Sequence, residues 1–306
     1  MAKSIANKYV WLVETIYNAG RITFDEISRK WEETDLGDGG SLALRTFHKW
    51  RQTAEEMFDV NIECERKGGY HYYIDNPEDL KKNNLRTWLL QTLSVSNLMM
   101  ENQALKDRIL PEEIPSGKEF LSVILNAMKN NHALEMAYKS FWHMQEYTIR
   151  VYPYCIKSFK QRWYMLANRG TLEEPVLRTY ALDRIYSIQP LPDETFQLPE
   201  DFDAHAYFGN VYGIINTGNA PQTVRLKVSV DQANYIRSLP LHKTQKEVER
   251  TDEYSIFELW LCPELDFQQE ILSKAPDIEV LEPVDLRNSL AEKVNRMNDI
   301  YKGKAI

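Results

Sequence analysis

The sequence predicts an α+β protein of several domains. Three observations point there. Three amphipathic helical segments and a hairpin pattern open the chain, a middle stretch alternates in short segments at barrel-like spacing, and strand and helix patterns mix towards the end. At roughly 100–200 residues per domain, 306 residues make two or three domains.

Ile5, Tyr9, Leu12, Val13 and Ile16 repeat at helical spacing, and Gly20 follows as a stop. Thr23 and Glu26 form a capping-box pair, so a second helix starts near Phe24 and carries Ile27 and Trp31. Residues 34–40 (TDLGDGG) read as a loop. Ser41 is placed to cap a third helix with Leu42, Leu44, Phe47, Trp50, Ala54 and Met57 as its apolar positions. The alternation on both sides of Gly68-Gly69 predicts a hairpin that closes before Pro77. Three helices and a hairpin in this order predict a winged helix-turn-helix over residues 1–79.

Residues 80–108 read as one long helix with a wide apolar stripe, ended by Pro111 and Pro115, which serves as a connector or a dimer helix in a linker spanning 80–117. A helix over 118–130 opens the middle domain, residues 118–205. Strands are expected at 133–141, 145–159, 161–169 and 176–188, and a loop-rich link leads out of it. Residues 206–306 form an α+β unit, with strands at 222–230 and 255–263 and helices at 231–238, near 266–274 and at 284–301.

Hydrophobic residues make up 43% and charged residues 27%, which excludes disorder and fibre. No apolar run reaches the roughly 18–20 residues of a membrane helix, and the N-terminus lacks a signal-peptide core, so a cytoplasmic protein with no membrane contact is expected. Cys64, Cys155 and Cys262 are odd in number and far apart, without a CxxC pair, and read as small buried residues rather than a disulfide or zinc framework. The net charge of -8 is unevenly spread: residues 1–80 hold 10 Lys and Arg against 15 Asp and Glu, residues 118–190 hold 10 against 6, and residues 191–306 hold 12 against 20. The basic middle points to an anionic partner.

Two constellations carry candidate function. No acidic residue interrupts positions 41–54. Ser41, Arg45, Thr46, His48, Lys49, Arg51 and Gln52 supply the cations and donors that phosphates and base edges require, and Arg66 and Lys67 at the hairpin tip add to them. The alternative is a solvated helix face in a protein-contacting module. In the middle, Arg150, Lys157, Lys160, Arg178 and Arg184 interleave with Tyr152, Trp163 and Tyr164, a pattern suited to a nucleotide or single-stranded nucleic acid. Here the alternative is aromatic core with solvated cations. Arg178 and Arg184, six apart in one expected strand, would share a face.

The segment RVYPYCIKSFKQRWYMLANR followed by LRTYALDRI resembles the WYL-domain family of bacterial transcriptional regulators: Arg150 and Pro153 fit its first motif, Trp163-Tyr164-Met165 the second, and Leu182-Asp183-Arg184-Ile185 the third. The resemblance implies a Sm-like (SH3-like) five-stranded β-barrel that senses nucleotides or nucleic acid, a ferredoxin-like C-terminal extension of the WCX type, and homodimers. Met165 stands where the family has Leu, a volume-conserving change. Ala181 stands where the family often has Arg, which removes one anion contact.

No P-loop, nucleophile elbow or metalloprotease motif occurs, and His48, His71, His132, His143, His205 and His242 lack metal-ligand spacing, so neither catalysis nor a cofactor is expected. The sequence thus predicts a ligand-responsive, double-stranded-DNA-binding homodimer. The rivals are a protein-interaction adaptor and a single-stranded nucleic-acid binder acting through the barrel.

Overall fold

The computed structural model describes residues 7–34, 37, 39–75, 77–80, 85–101, 103–112, 114–141, 145–171 and 173–303. The chain divides into two compact units, Met1–Glu112 and Glu113–Ile306.

In the first unit, α1 (Asn7–Ala19) buries Val10, Leu12, Val13 and Ile16 and stops at Gly20, whose φ of 69° suits a residue without Cβ. After β1 (Ile22–Thr23), α2 (Phe24–Glu32) opens with the expected capping box. The Glu26 N–H donates to Thr23 Oγ1 at 3.3 Å, and the Thr23 N–H donates to Glu26 Oε2 at 2.9 Å. These bonds from Thr23 hold the Glu26 carboxyl below its ordinary range.

Helix α3 (Leu44–Phe58) starts later than its sequence suggests. Its N-cap is Ala43, without a side-chain bond, and Ser41 lies exposed in the extended lead-in. Leu42 explains the delay, since it is buried and its N–H donates to Ser28 Oγ at 3.2 Å, which ties the lead-in to α2. Leu44 and Met57, expected as apolar core positions, are instead exposed at 49% and 46%. Strands β2 (Ile62–Glu65) and β3 (His71–Ile74) form the predicted hairpin, and β1 joins β3 to give the antiparallel order β1-β3-β2. Phe47, fully buried, meets Phe24 and Tyr72 at centroid distances of 5.4 and 4.7 Å, while Trp31 sits between Trp11 and Trp50 at 4.9 and 4.8 Å. Helix α4 (Leu85–Glu101) adds Leu90 to this core and is followed by a 3-10 segment, Gln103–Arg108. The predicted helix at 80–108 also covers 81–84 and 102, outside the described residues.

The second unit holds two cores. Helix α5 (Leu121–Asn130) packs Ile124 and Ala127 on an antiparallel sheet of β4 (His132–Tyr138), β5 (Tyr147–Phe159), β6 (Arg162–Asn168), β7 (Leu177–Ala181) and β8 (Ile185–Thr195). The order is β7-β6-β5-β4-β8, and no β7–β8 pairing occurs among the described residues, so the five strands form an open sheet rather than a closed barrel. Pro190 and Pro192 are tolerated because β8 is an edge strand.

After α6 (Ala204–Phe208) come β9 (Gln222–Ser229), α7 (Val230–Ser238), β10 (Lys246–Arg250), β11 (Tyr254–Leu261), α8 (Leu265–Leu272), β12 (Ile278–Glu282) and α9 (Val284–Tyr301). Their antiparallel sheet runs β10-β11-β9-β12 and is packed by Ala233, Ile236, Phe267, Ile271, Leu286 and Leu290. Among the described residues, no helix is long and apolar enough to cross a membrane.

Candidate nucleic-acid interface and sensor site

Phe47, Ala54 and Phe58 face inward on α3, and the 3.6-residue period turns Arg45, His48, Lys49 and Gln52 out to solvent, with Thr46 and Arg51 half-buried at the margin. The cations differ in their neighbours. Arg51 Nε lies 3.7 Å from Glu55, and Gln52 Nε2 donates to Glu56 Oε1 at 3.3 Å, so the last turns of α3 spend their donors internally. Arg45 and Lys49, one turn apart, have no ion pair among the described residues. At the hairpin tip Arg66 and Lys67 are exposed, and Gly68, Gly69 and Tyr70 carry φ of 98°, 118° and 57° in succession. Arg21 pairs with Glu65 and lies 5.3 Å over the Tyr73 ring, which cancels a negative charge beside the hairpin turn. A groove of about 630 Å³ runs between helix and hairpin, with Leu44, His48, Arg51, Arg66, Tyr70 and Tyr72 along it. Helix and hairpin candidates thus border one concavity. Sequence reading passed over Leu44 and Tyr70, because exposed apolar residues look like core until the helix phase is fixed.

The strand-borne candidates do not gather into one site. Arg150 and Tyr152, two apart on β5, both reach Glu194, at 2.9 Å for Arg150 Nη1 and 2.8 Å for the Tyr152 hydroxyl. Lys157 Nζ donates to the Gly213 carbonyl at 2.6 Å and lies 4.3 Å over the Phe208 ring; burial lowers its pKa. Lys160 Nζ donates to Glu270 Oε2 at 2.7 Å. Tyr164 is buried and Trp163 half-buried on the sheet, while Arg178 is exposed, with a 3.4 Å bond from Nη1 to the Leu177 carbonyl.

The expected shared face of Arg178 and Arg184 is absent. Strand β7 ends at Ala181, a 3-10 turn (Leu182–Arg184) intervenes, and β8 begins at Ile185. Gly117, at φ 66°, lies against this turn so closely that a Cβ there would come 2.4 Å from the Leu182 carbonyl carbon. The turn aims Arg184 at Phe141, with Cζ 3.6 Å from the ring centroid, and Asp183 at Arg162, which it pairs. The Tyr138 ring stands 5.2 Å from that of Tyr180. Burial raises both phenols, Tyr180 to about 12.

Around this turn, Ser140 Oγ, Arg162 Nε, Tyr180 Oη, Asp183 Oδ1 and Arg184 Nε are buried without a hydrogen-bond partner. Each such group costs about 1–3 kcal/mol unless a bound molecule satisfies it. Arg184, with Arg162 and Tyr180 from the same basic and aromatic stretch, belongs here; Tyr138 and Phe141 were not among the candidates. Ala181, at the expected arginine position, is buried and donates its N–H to the Tyr138 hydroxyl at 3.3 Å. Met165 is fully buried in the sheet core.

All three cysteines are free; Cys262 is buried, Cys64 and Cys155 are half-buried, and burial pushes the Cys155 thiol up to about 11, which keeps it protonated. His143 lies outside the described residues, and no group of three or more His, Cys, Asp or Glu among the described residues is arranged to hold a metal ion.

Among curated proteins, no relative matches the chain. Solved structures similar to it include the proteasome accessory factor B/C (PafBC) of Arthrobacter aurescens, at 18% identity over 93% of this chain, with a TM-score of 0.35. A CRISPR Cas-related protein is similar at 13% identity over 97% of this chain and 83% of its own, with a TM-score of 0.40. The chain spans 45% of the PafBC chain. Family models match twice, a WYL domain over residues 119–190, which takes in α5, the open sheet and the 3-10 turn, and a WCX domain over residues 220–297, which takes in the C-terminal sheet. The chain thus carries a WYL domain followed by a WCX domain.

Proposed function

We propose that the chain is a DNA-binding transcription regulator whose WYL domain senses a nucleotide or single-stranded nucleic acid. One observation carries the DNA half: α3 exposes Arg45, His48 and Lys49 beside the hairpin cations Arg66 and Lys67, in a unit whose other charge is mostly acidic. The order of three helices and a β1-β3-β2 sheet is read as a winged helix-turn-helix, with α3 in the major groove and the hairpin as its wing. Leu44 then meets thymine methyls, while Arg45 and Lys49 meet bases or phosphates. The chain is read as a non-catalytic cytoplasmic protein, and α4, whose Leu89, Val95 and Met99 are exposed, as the seam of a homodimer that spaces two half-sites.

The sensing half rests on the partnerless polar atoms around the Leu182–Arg184 turn, which a phosphate and base would satisfy. The sheet order, numbered locally 5-1-2-3-4 with a 3-10 turn before the last strand, supports a Sm-like reading, and the β-α-β-β-α-β order of the C-terminal domain supports a ferredoxin-like one.

The test is fluorescence anisotropy on duplex DNA from upstream of the chain's own gene, against a scrambled duplex. Preferential binding that weakens steeply with salt is expected. Equal, weak binding to both duplexes sinks the DNA reading. It would favour the second reading, a protein-docking module, which has the mixed apolar groove of Leu44, Tyr70 and Tyr72 on its side.

A further inference from the structure

Two of the cations that sequence analysis assigned to an anionic ligand are turned onto the C-terminal domain. Lys160 and Gln161, at φ 47° and 62°, form the tip of the β5–β6 hairpin, and Lys160 Nζ meets Glu270 of α8 at 2.7 Å. Glu270 is also paired with Lys274. Deeper in the same seam, Lys157 donates to the Gly213 carbonyl. That segment is held from the other side by Asp266 Oδ2, which accepts the N–H groups of Ile214 and Ile215 at 2.8 and 3.2 Å. No side chain fits at Gly213, where a Cβ would come 2.4 Å from Asp266 Oδ2.

The seam does not depend on the ion pair to stay closed. Phe159 meets Tyr212 edge-on at 5.6 Å, and Tyr212 meets Phe267 at 5.9 Å, an aromatic contact that persists when charges part. Lys160 is 60% exposed, so a competitor can reach it, while Glu270 is 12% exposed and fixed by its pair with Lys274. A carboxylate held still against a reachable lysine is placed as a stand-in for an external anion.

We propose that Glu270 is a built-in competitor of the effector: it occupies the hairpin lysine that a phosphodiester strand would otherwise take, and effector binding exchanges the one for the other. The exchange couples the WYL domain to the WCX domain, because a ligand that takes Lys160 removes the ion pair that ties the hairpin tip to Glu270 of α8. This inference rests on the sensor reading above.

The experiment is anisotropy of a fluorescein-labelled oligo-dT of about 15 nucleotides on the full chain, with Glu270→Gln, Lys160→Gln and the double variant beside the parent. Unlabelled AMP as a competitor tells a single phosphate and base from a strand. Glu270→Gln is close to isosteric and Lys160 is at the surface; near-UV circular dichroism verifies that each variant is folded. The expected result is a gain in affinity of about threefold for Glu270→Gln, a loss for Lys160→Gln, and no gain from Glu270→Gln once Lys160 is gone. Parent binding that Glu270→Gln leaves unchanged overturns the competitor and spares the sensor reading. A gain that persists without Lys160 overturns it too, since it reflects net charge alone. If no folded form binds the oligonucleotide or AMP, the sensor reading falls and the competitor with it.

Discussion

Helix α3 and the β5–β6 hairpin are the two cation-bearing regions of the chain, and they treat their charge in opposite ways. On α3, Arg45 and Lys49 stand free of carboxylates among the described residues, and the acidic residues of the helix are used by Arg51 and Gln52 at its far end. On the sheet side, Arg150 has Glu194, Lys160 has Glu270, and Arg162 has Asp183. Free surface cations attract a polyanion at low desolvation cost, whereas a paired cation must first give up its partner. On the proposed reading, the difference separates a surface that would bind whenever DNA is near from one that would bind only in exchange for an internal contact. That is what a sensor requires.

The comparison breaks most visibly at α3. Replacing Arg45 and Lys49 together by Ala should lower operator affinity on the order of 100-fold and flatten the salt dependence, with the thermal midpoint unchanged, since neither side chain packs in the core. Anisotropy across a salt series measures both effects, and parent-like binding would remove α3 from the interface. The next largest effect is at the turn. Asp183→Ala strands Arg162, whose side chain is 28% exposed, and should cost about 2 kcal/mol by urea unfolding. A cost near zero would mean that water already serves Arg162 there.

Local patterns were well served by the sequence. The Thr23–Glu26 capping box, the Gly68-Gly69 hairpin and the 3.6 period of α1 involve residues within a few positions of one another, and all appear in the fold. Where the signal was local but conflicting, the reading failed. The 3-10 turn Leu182–Arg184 breaks the expected strand at 176–188, and its buried Leu182 continues the apolar run of Tyr180 and Ala181, which hides the break from a periodicity reading. Strand β10 was missed because its five residues, Lys246–Arg250, are all exposed at a sheet edge and show no alternation. The candidate site was least legible. Arg150 and Glu194 are 44 positions apart, and Lys160 and Glu270 are 110 apart, so counting charge in a window sees a basic stretch where the fold makes neutral pairs. The exposure of the helix face needed no such distant knowledge, since it follows from the 3.6-residue period alone.

Acid sharpens the contrast further. Burial works to raise the Glu270 carboxyl, but its hydrogen bonds from Lys160 and Lys274 prevail and hold it at about 2, against an ordinary 4.5. A carboxyl whose folded pKa is depressed adds stability above its unfolded pKa and loses it as pH falls through the folded value. The contribution should therefore be complete above about pH 5 and fade between about 4.5 and 2. Allowing for the exposed lysine, it amounts to on the order of 1 kcal/mol. Glu270→Gln should flatten the acid limb of the stability curve in that window and leave α3 binding intact, as urea midpoints at several pH values and anisotropy would record. A parent and variant with parallel acid limbs would show the network to be inert.

The smallest effect belongs to Arg150. Its guanidinium is 56% exposed and shares Glu194 with the Tyr152 hydroxyl, which would remain to satisfy the carboxylate. Arg150→Gln should thus change stability by less than about 0.5 kcal/mol. Its effect on oligonucleotide affinity is the more telling number. If Arg150 serves only Glu194, affinity stays within about twofold of the parent; a loss on the order of tenfold would mean that the strand displaces Glu194 as it displaces Glu270. Measured beside Lys160→Gln, it decides whether the exchange of internal for external anions is confined to the hairpin tip or runs along the whole of β5.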